Sequence, residues 1–301
     1  MNRTMTPGEW GLLLLLSILW GSSLFSLNIA AREVPAFTIV MAKVVLAAIP
    51  LVLVAGRRLR WNRRDWGGFA AMALFNDAGP FVLIAFAGPH IPTGLASVLI
   101  ATNPLFTALL AHWLTRDEHM TIRHVAGVAI GFFGLAVMLG DGGFSLALPS
   151  VLAAGAFLLV SLAYSYASIF GRRFAAEKVH PMAVAAGQHC CSAVVIVPLA
   201  LLMDRPWMLS MPSLPAIGAL LALGLLSGAL AYTIYYRVLA TAGATNVVLV
   251  TFMSPVTTIL MGLALLGERL SAQQGAGMAL IALGLVVLDG RVLTWARASA
   301  A

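Results

Sequence analysis

Residues 102–118 read TNPLFTALLAHWLTRDE, and residues 253–268 read MSPVTTILMGLALLGE. Each stretch has a proline at its third position, then an apolar run and a closing glutamate. The prolines are 151 residues apart and the glutamates 150, so the two copies differ in length by a single residue. Further matches at 150 residues are Gly127 with Gly277, Gly134 with Gly284, and Gly140 with Gly290. The chain therefore reads as two fused copies, whose bounds we predict at residues 1–141 and 146–301.

Composition indicates a membrane protein, since 61% of residues are hydrophobic, 10% are charged and the mean hydropathy is +0.96. An uncharged stretch of about 20 residues can cross a bilayer as a helix. Ten stretches of about this length carry at most one charged residue, at residues 9–31, 36–55, 67–88, 92–114, 123–140, 150–171, 181–203, 214–236, 242–266 and 272–290. We predict an all-α polytopic membrane protein with ten transmembrane helices. Because each copy contributes an odd number of helices, the second copy is inverted, which is typical of secondary transporters.

Basic residues in the short loops favour one orientation, because Lys and Arg are retained on the cytoplasmic side. With the N-terminus inside, the outer side receives only Arg32, Arg205 and Arg269. The inner side receives Arg3, Arg57, Arg58, Arg60, Arg63, Arg64, Arg116, Arg123, Arg172, Arg173, Lys178, Arg237, Arg291 and Arg297. We therefore expect a multi-pass protein of the bacterial inner membrane with both termini cytoplasmic. The net charge of +7 indicates contact with anionic lipid and not nucleic-acid binding.

Two ionisable side chains stand out in the predicted spans because they lie away from the span ends, at depths where a charge costs roughly 3 kcal/mol or more. Asp77 lies near the middle of the third span, and Lys43 lies in the outer half of the second. One interpretation is that Lys43 binds a substrate carboxylate while Asp77 binds an amino group or a proton. The alternative is that the two side chains pair with each other, or that Lys43 extends to the outer surface.

A histidine in the second copy occupies a position equivalent to Lys43. His189 follows Pro181 by the same eight residues that separate Lys43 from Pro35, so the repeat places both side chains at similar depths. This position favours a role in lining the cavity. The alternative is a structural histidine that is hydrogen-bonded to a backbone carbonyl.

Aromatic residues at repeat-related positions are predicted to flank one cavity. Trp20 corresponds to Tyr164, and Phe81 corresponds to Tyr232. Such rings accept apolar groups by stacking, while phenols and indoles add hydrogen bonds. The complete predicted substrate-binding set, which includes two asparagines within the repeated motifs, is Trp20, Lys43, Asn76, Asp77, Phe81, Asn103, Tyr164, His189 and Tyr232.

Two prolines and two glycine pairs bear on helix geometry. Pro104 and Pro255 each remove a helical hydrogen bond, and the resulting kinks are candidates for either gates or fixed bends. Pairs of small residues four positions apart allow close contact between membrane helices. We predict such packing within the bundle at Gly127 with Gly131 and at Gly224 with Gly228.

Patterns typical of enzymes are absent from the sequence, which has no His-Glu-x-x-His, no Gly-x-Ser-x-Gly and no phosphate-binding glycine loop. We expect no catalytic residues and no cofactor. His119 and His124 are five residues apart, a spacing that does not favour a metal site. A structural or sensory membrane protein is the other class to consider. It would show no solute flux and would tolerate substitution of Trp20 and Asp77.

The repeated motifs carry a family resemblance over essentially the whole chain. They are Trp20-Gly21-Ser22, Asn103-Pro104, Glu118, Ser254-Pro255, Gly267-Glu268-Arg269-Leu270-Ser271 and Gly284. This pattern resembles the drug/metabolite transporter superfamily, EamA type. The first copy departs from it, because Thr115-Arg116-Asp117-Glu118 stands where the second copy has Leu266-Gly267-Glu268.

The resemblance implies two inverted five-helix halves, a cavity near the middle of the membrane and the movement of small metabolites. The bacterial amino-acid and metabolite exporters are the most similar group, so we expect export of amino acids or similar metabolites by alternating access. A multidrug or nucleoside efflux carrier coupled to proton antiport is the alternative. Transport down the substrate gradient and exchange against protons both stay open at this point.

Overall fold

The computed structural model describes residues 6–59, 63–114, 122–139, 147–242, 249–266 and 271–289. Within these ranges every regular element is a helix, which confirms the all-helical prediction. The motif residues Glu118 and Glu268 lie outside the described residues, as do His119, the linker 141–145 and both chain termini.

Seven α-helices lie within the described residues of the first half of the chain. They are α1 (Pro7–Ala30), α2 (Ala36–Ala55), α3 (Arg63–Met72), α4 (Ala78–Ala87), α5 (Thr93–Ile100), α6 (Asn103–Leu114) and α7 (Ile122–Leu139). A π-helical segment, Ala73–Asp77, joins α3 to α4. The first helix begins before the predicted residue 9 because Thr6 and Glu9 form a capping box. In it, the Thr6 N–H donates to Glu9 Oε2 at 2.8 Å.

The described part of the second half contains six α-helices. They are α8 (Leu148–Ala176), α9 (Pro181–Met203), α10 (Leu214–Leu221), α11 (Ala231–Ala242), α12 (Leu249–Met261) and α13 (Ala272–Asp289). A π-helical segment, Ala222–Leu230, joins α10 to α11, at the position that the repeat assigns to Ala73–Asp77. A third π-helical segment, Gly262–Leu266, extends α12.

Within the described residues, seven helical stretches are long and apolar enough to cross a bilayer. They are Pro7–Ala30, Ala36–Arg58, Asp65–His90, Thr93–Leu114, Leu148–Phe174, Pro181–Met203 and Leu214–Tyr235, and a shorter apolar stretch runs over Val125–Val137. The chain is therefore a multi-pass membrane protein. The two remaining predicted spans, 242–266 and 272–290, overlap the helices α12 and α13, and the count of ten crossings stays a prediction.

Helices α7 and α13 make close contact through glycines from both halves. A Cβ at Gly134 would lie 2.7 Å from the Gly277 carbonyl oxygen, and a Cβ at Gly284 would lie 2.6 Å from that of Gly127. Neither position has room for a side chain. The two contacts are related to each other by the shift of 150 residues, so the halves meet here in a reciprocal way.

Helix α2 packs against α9 and against the π-helical segment Ala222–Leu230. In the second contact, a Cβ at Gly228 would lie 2.7 Å from the Ala47 Cβ, and a Cβ at Gly224 would overlap Leu46. The predicted packing role of Gly224 and Gly228 within the bundle is therefore confirmed.

Two carboxylates connect helix ends at the predicted outer surface. Asp204, after α9, accepts hydrogen bonds from the N–H and hydroxyl of Thr38 in the first turn of α2 at 2.7 and 2.9 Å. Glu33, after α1, accepts bonds from the hydroxyl and N–H of Ser213 at the start of α10 at 2.6 and 2.7 Å. These bonds from Ser213 lower the pKa of the exposed Glu33 carboxyl. Each half thus caps a helix of the other half.

Candidate functional site

Asp77 lies at an interruption of the third predicted span. Its backbone dihedrals, φ −141° and ψ −92°, leave the helical region where the π-helical segment meets α4. Gly79 has no room for a side chain, because a Cβ would overlap the Leu74 carbonyl oxygen. Pro80 has no N–H to donate to the Asn76 carbonyl four residues earlier. The sequence Asp77-Ala78-Gly79-Pro80 therefore breaks the regular helix in the middle of an apolar span.

A buried ion pair joins Asp77 to α2. The Lys43 ammonium contacts Asp77 Oδ1, and the two side chains are only 2% and 0% exposed. The Ser192 hydroxyl on α9 donates to Asp77 Oδ2 at 2.7 Å. The ammonium also lies 3.6 Å from the centre of the Phe81 ring, a cation–π contact. The pairing of Lys43 with Asp77 is one of the alternatives predicted above, and Lys43 does not extend to the outer surface.

His189 faces the same carboxylate from α9. Its Nδ1 lies 2.9 Å from the Ala185 carbonyl oxygen, and its Nε2 lies 3.8 Å from Asp77 Oδ2. The side chain is fully buried, and its Nε2 has no hydrogen-bond partner among the described residues. The ring meets Tyr232 edge-on, with centroids 5.2 Å apart. His189 therefore has the backbone carbonyl of the structural interpretation and also a free ring nitrogen directed at the charged pair.

A polar and aromatic wall adjoins this cluster. The Asn76 amide donates to Gln188 Oε1 at 3.2 Å and to the Tyr232 hydroxyl at 3.5 Å. Trp20 on α1 contacts the rings of Tyr232 and Tyr235, with centroid distances of 6.1 and 5.5 Å. The wall thus combines residues of both halves and lies beside Asp77 through Asn76 and His189.

Asn103 and Tyr164 are more loosely connected to the cluster. Asn103 begins α6, where its side-chain and backbone oxygens accept bonds from Thr107 and Ser165. Tyr164 on α8 packs against the apolar core. Of the predicted site residues, the structure brings Trp20, Lys43, Asn76, Asp77, Phe81, His189 and Tyr232 into one continuous set of contacts.

The two prolines occupy different settings. The helix is interrupted at Ala101 and Thr102, and Pro104 stands in the first turn of α6 just after this break. The Ile100 carbonyl accepts a bond from the Ser161 hydroxyl at 3.2 Å. Pro255 lies within the continuous helix α12. The gating role of both prolines stays a prediction.

Two features of the site were missed by the sequence analysis. Ser192 supplies a hydrogen bond to Asp77, and its position three residues after His189 places both on one face of α9. The Gly79-Pro80 dipeptide marks the interruption in the middle of a span. Both signals are present in the sequence, but serine is common in membrane helices and its partner depends on how α9 is rotated.

The site offers one cation, one anion, an imidazole and phenols within a buried region. No group of three or more His, Cys, Asp or Glu side chains within the described ranges is arranged to hold a metal ion. The arrangement suits recognition of a small molecule that carries opposite charges, together with an apolar or aromatic portion.

Comparison with known families decides the identity of the fold. The sequence model described as the EamA-like transporter family matches residues 9–140 and 151–288. The chain belongs to the EamA-like transporter family. The predicted resemblance to the drug/metabolite transporter superfamily is thereby confirmed, and the general activity of this EamA-like protein is transport.

Relatives of this EamA-like transporter span nearly the whole chain. An uncharacterized transporter of Archaeoglobus fulgidus is 24% identical, with 93% of this chain and 98% of the relative aligned. The uncharacterized inner membrane transporter YedA of Escherichia coli K12 is 27% identical, over 93% and 90%. A protein of the same strain named "probable amino-acid metabolite efflux pump" is 25% identical, over 94% and 95%.

A solved structure supports the fold. A crystal structure at 22% sequence identity superposes with a TM-score of 0.69 and covers 96% of this chain and 98% of its own. At this identity the match speaks for the fold alone.

Proposed function

We propose that this EamA-like transporter exports amino acids or similar small metabolites across the bacterial inner membrane by alternating access. The observation that carries the proposal is the buried ion pair of Lys43 and Asp77. Three elements meet at this pair: α2, α9 and the helix interruption that precedes α4. Helices of both halves therefore contribute to it. The name of the relative that is 25% identical, an amino-acid metabolite efflux pump, supports the substrate class and the direction.

A zwitterionic amino acid complements this pair. Its carboxylate would bind the Lys43 ammonium, and its ammonium would bind Asp77, so one internal ion pair is exchanged for two pairs with the substrate. No buried charge is left without a partner in either state, which avoids the large cost of an isolated charge in an apolar region. The internal pair thus acts as a placeholder that keeps the empty site neutral.

The aromatic wall supplies the second half of the recognition. Trp20, Tyr232 and Tyr235 present ring faces and edges next to the charged cluster. Such rings pack against apolar or aromatic side chains of a substrate, and the phenols add hydrogen bonds. We therefore expect a broad preference for neutral amino acids with apolar or aromatic side chains.

Alternating access requires two halves that move against each other. We infer ten spans in two inverted repeats, at residues 1–141 and 146–301, with both termini cytoplasmic. The reciprocal contacts of Gly134 with Gly277 and of Gly284 with Gly127 support this arrangement, as do the π-helical segments at equivalent positions. Rocking of such repeats about a site near the midplane exposes it alternately to either side.

The test is counterflow in proteoliposomes, in which unlabelled substrate inside drives exchange for labelled substrate outside. We expect saturable uptake of labelled neutral amino acids that is absent from protein-free vesicles and lost in Lys43→Met. A matched control is Lys178→Met, because Lys178 is exposed and lies outside the spans. Flux of nucleosides or cationic drugs in place of amino acids would favour the efflux alternative. Absence of flux with every solute would contradict the proposal.

A further inference from the structure

An unusual pair of atoms faces each other between His189 and Asp77. The Ala185 carbonyl can only accept, so the His189 Nδ1 that contacts it at 2.9 Å must carry the hydrogen. The Nε2 of the neutral ring is then a hydrogen-bond acceptor. It is directed at Asp77 Oδ2, another acceptor, which lies 3.8 Å away and already receives the Ser192 hydroxyl.

We propose that the gap between His189 Nε2 and Asp77 Oδ2 is a proton-binding site, and that this proton competes with the substrate ammonium for Asp77. This inference rests on the proposed function, since it names what couples substrate export to an energy source. A proton on Nε2 converts two opposed acceptors into a donor and an acceptor. Closing the gap by about 1 Å would then give a hydrogen bond of ordinary length.

The two ligands are exclusive because they use the same acceptor. A substrate ammonium bound to Asp77 beside His189 would donate to the neutral Nε2, which lies 3.8 Å from Asp77 Oδ2. A proton on Nε2 removes that acceptor and places an imidazolium against the ammonium, with Asp77 as the carboxylate that both cations need. Two like charges this close repel strongly in an apolar span.

The neighbouring titratable groups do not alter this competition between the proton and the substrate ammonium. Lys43 contacts Asp77 from α2, and Tyr232 contacts the His189 ring from α11. The other phenols nearby belong to Tyr164 on α8 and Tyr235 on α11. On α9 itself the adjacent thiols belong to Cys190 and Cys191. Phenols and thiols are neutral at the pH values at which the carrier works. Asp77 is therefore the one anion that faces His189 in the part of the chain that the structure describes.

The competition gives transport a direction. Facing the more acidic exterior, His189 accepts a proton, and the substrate ammonium is released from Asp77. Facing the less acidic cytoplasm, the proton leaves Nε2 and a zwitterion binds. One proton enters for each zwitterion exported, and one positive charge moves inward in each cycle.

The decisive experiment compares two transport modes in the same proteoliposomes, with the membrane potential clamped by potassium and valinomycin. Counterflow requires no net proton movement, whereas uphill accumulation under an imposed pH difference does. For exchange of one proton, each pH unit should support accumulation of about tenfold on the acidic side. In His189→Gln we expect no accumulation, and a pH profile of the residual counterflow that is flat where the wild type declines on acidification.

His90→Gln is the matched control, because His90 is exposed and lies beyond the end of α4. It should retain both counterflow and accumulation. Accumulation by His189→Gln at the wild-type level would overturn the proton site while leaving the proposed carrier function intact. Wild-type counterflow that does not decline on acidification would do the same.

A measurement on the wild-type protein covers the case in which the variant does not fold. Nitrogen-15 NMR of labelled histidine distinguishes the Nδ1–H tautomer from the imidazolium. We expect His189 in the Nδ1–H form at high pH, conversion to imidazolium on acidification, and suppression of that conversion by saturating substrate. An Nε2–H tautomer at high pH, or titration unaffected by substrate, would refute the competition.

Discussion

The π-helical segments Ala73–Asp77 and Ala222–Leu230 are repeat-related, yet they pack in opposite ways. Ala73–Asp77 meets α9 through a carboxylate, the Ser192 hydroxyl and His189, and we call this contact the polar seam. Ala222–Leu230 meets α2 through Gly224 and Gly228, which leave no space for a side chain, and we call this contact the glycine seam. Duplication thus preserved the helix geometry while charge was concentrated in one copy.

The difference shows how a symmetric fold supports an asymmetric site. Asp77 in the polar seam corresponds by repeat to Gly228 in the glycine seam, so a side chain in one copy is replaced by close backbone packing in the other. Buried charges need partners on neighbouring helices, whereas glycine contacts need only complementary shape. The polar seam is therefore the place where a ligand can exchange with internal partners, and the glycine seam is a contact with no space to fill.

Among the substitutions that test this comparison, Asp77→Asn should have the largest effect on stability and transport. The change leaves Lys43 buried without its counter-charge, and we expect a loss of about 3 to 5 kcal/mol in the free energy of unfolding together with loss of transport. Thermal unfolding in detergent and counterflow are the two measurements. Glu177→Gln, which removes a partly exposed partner of Arg173 3.7 Å away, should cost less than about 1 kcal/mol.

The double variant Lys43→Met with Asp77→Asn separates stability from transport. Removing both charges should restore most of the lost stability, because a buried ion pair can be replaced by uncharged groups at little cost. Transport should stay absent if the pair binds substrate. A double variant that is stable and fully active would assign the pair to structure alone.

Gly228→Leu tests the glycine seam and should have the next largest effect. The new side chain would collide with Ala47 and force α2 away from the second π-helical segment, at a cost of about 3 kcal/mol. Gly218→Leu is the matched control, because it lies in the same predicted span and a Cβ there meets nothing within 4 Å. Equal thermal midpoints for the two variants would show that the glycine seam is not tightly packed.

Much of the helix pattern follows from hydropathy and proline positions. The predicted spans 36–55 and 181–203 coincide with α2 and α9, whose starts are marked by Pro35 at the N-cap and Pro181 at the first turn. The interruptions were not predicted, because hydropathy is the same on either side of a π-helical segment and carries no information on which carbonyl each N–H meets.

The residues of the candidate site could likewise be predicted only in part from the sequence. Lys43 and Asp77 could be predicted because a charge within an apolar span is costly and needs a reason. Their mutual pairing was one of two alternatives, since the choice depends on the rotation of α2 relative to the interrupted helix. Ser192 could not be selected, because a hydroxyl can bond to its own helix backbone and so needs no partner elsewhere.

Of the substitutions in the polar seam, Ser192→Ala should have the smallest effect on stability. It tests what the Ser192 hydroxyl contributes to this contact. It removes one hydrogen bond to a carboxylate that keeps its contact with Lys43, so we expect a loss of about 1.5 kcal/mol in stability. Ser168→Ala is the control and should cost much less. Among the described residues, the Ser168 hydroxyl bonds only within its own helix, to the Tyr164 carbonyl at 2.8 Å. With its Ser192 bond removed, Asp77 Oδ2 should attract a proton at His189 more strongly, so the acid inhibition of counterflow should shift to higher pH. A shift to lower pH would mean that Ser192 holds the carboxylate toward His189 and does not compete with it.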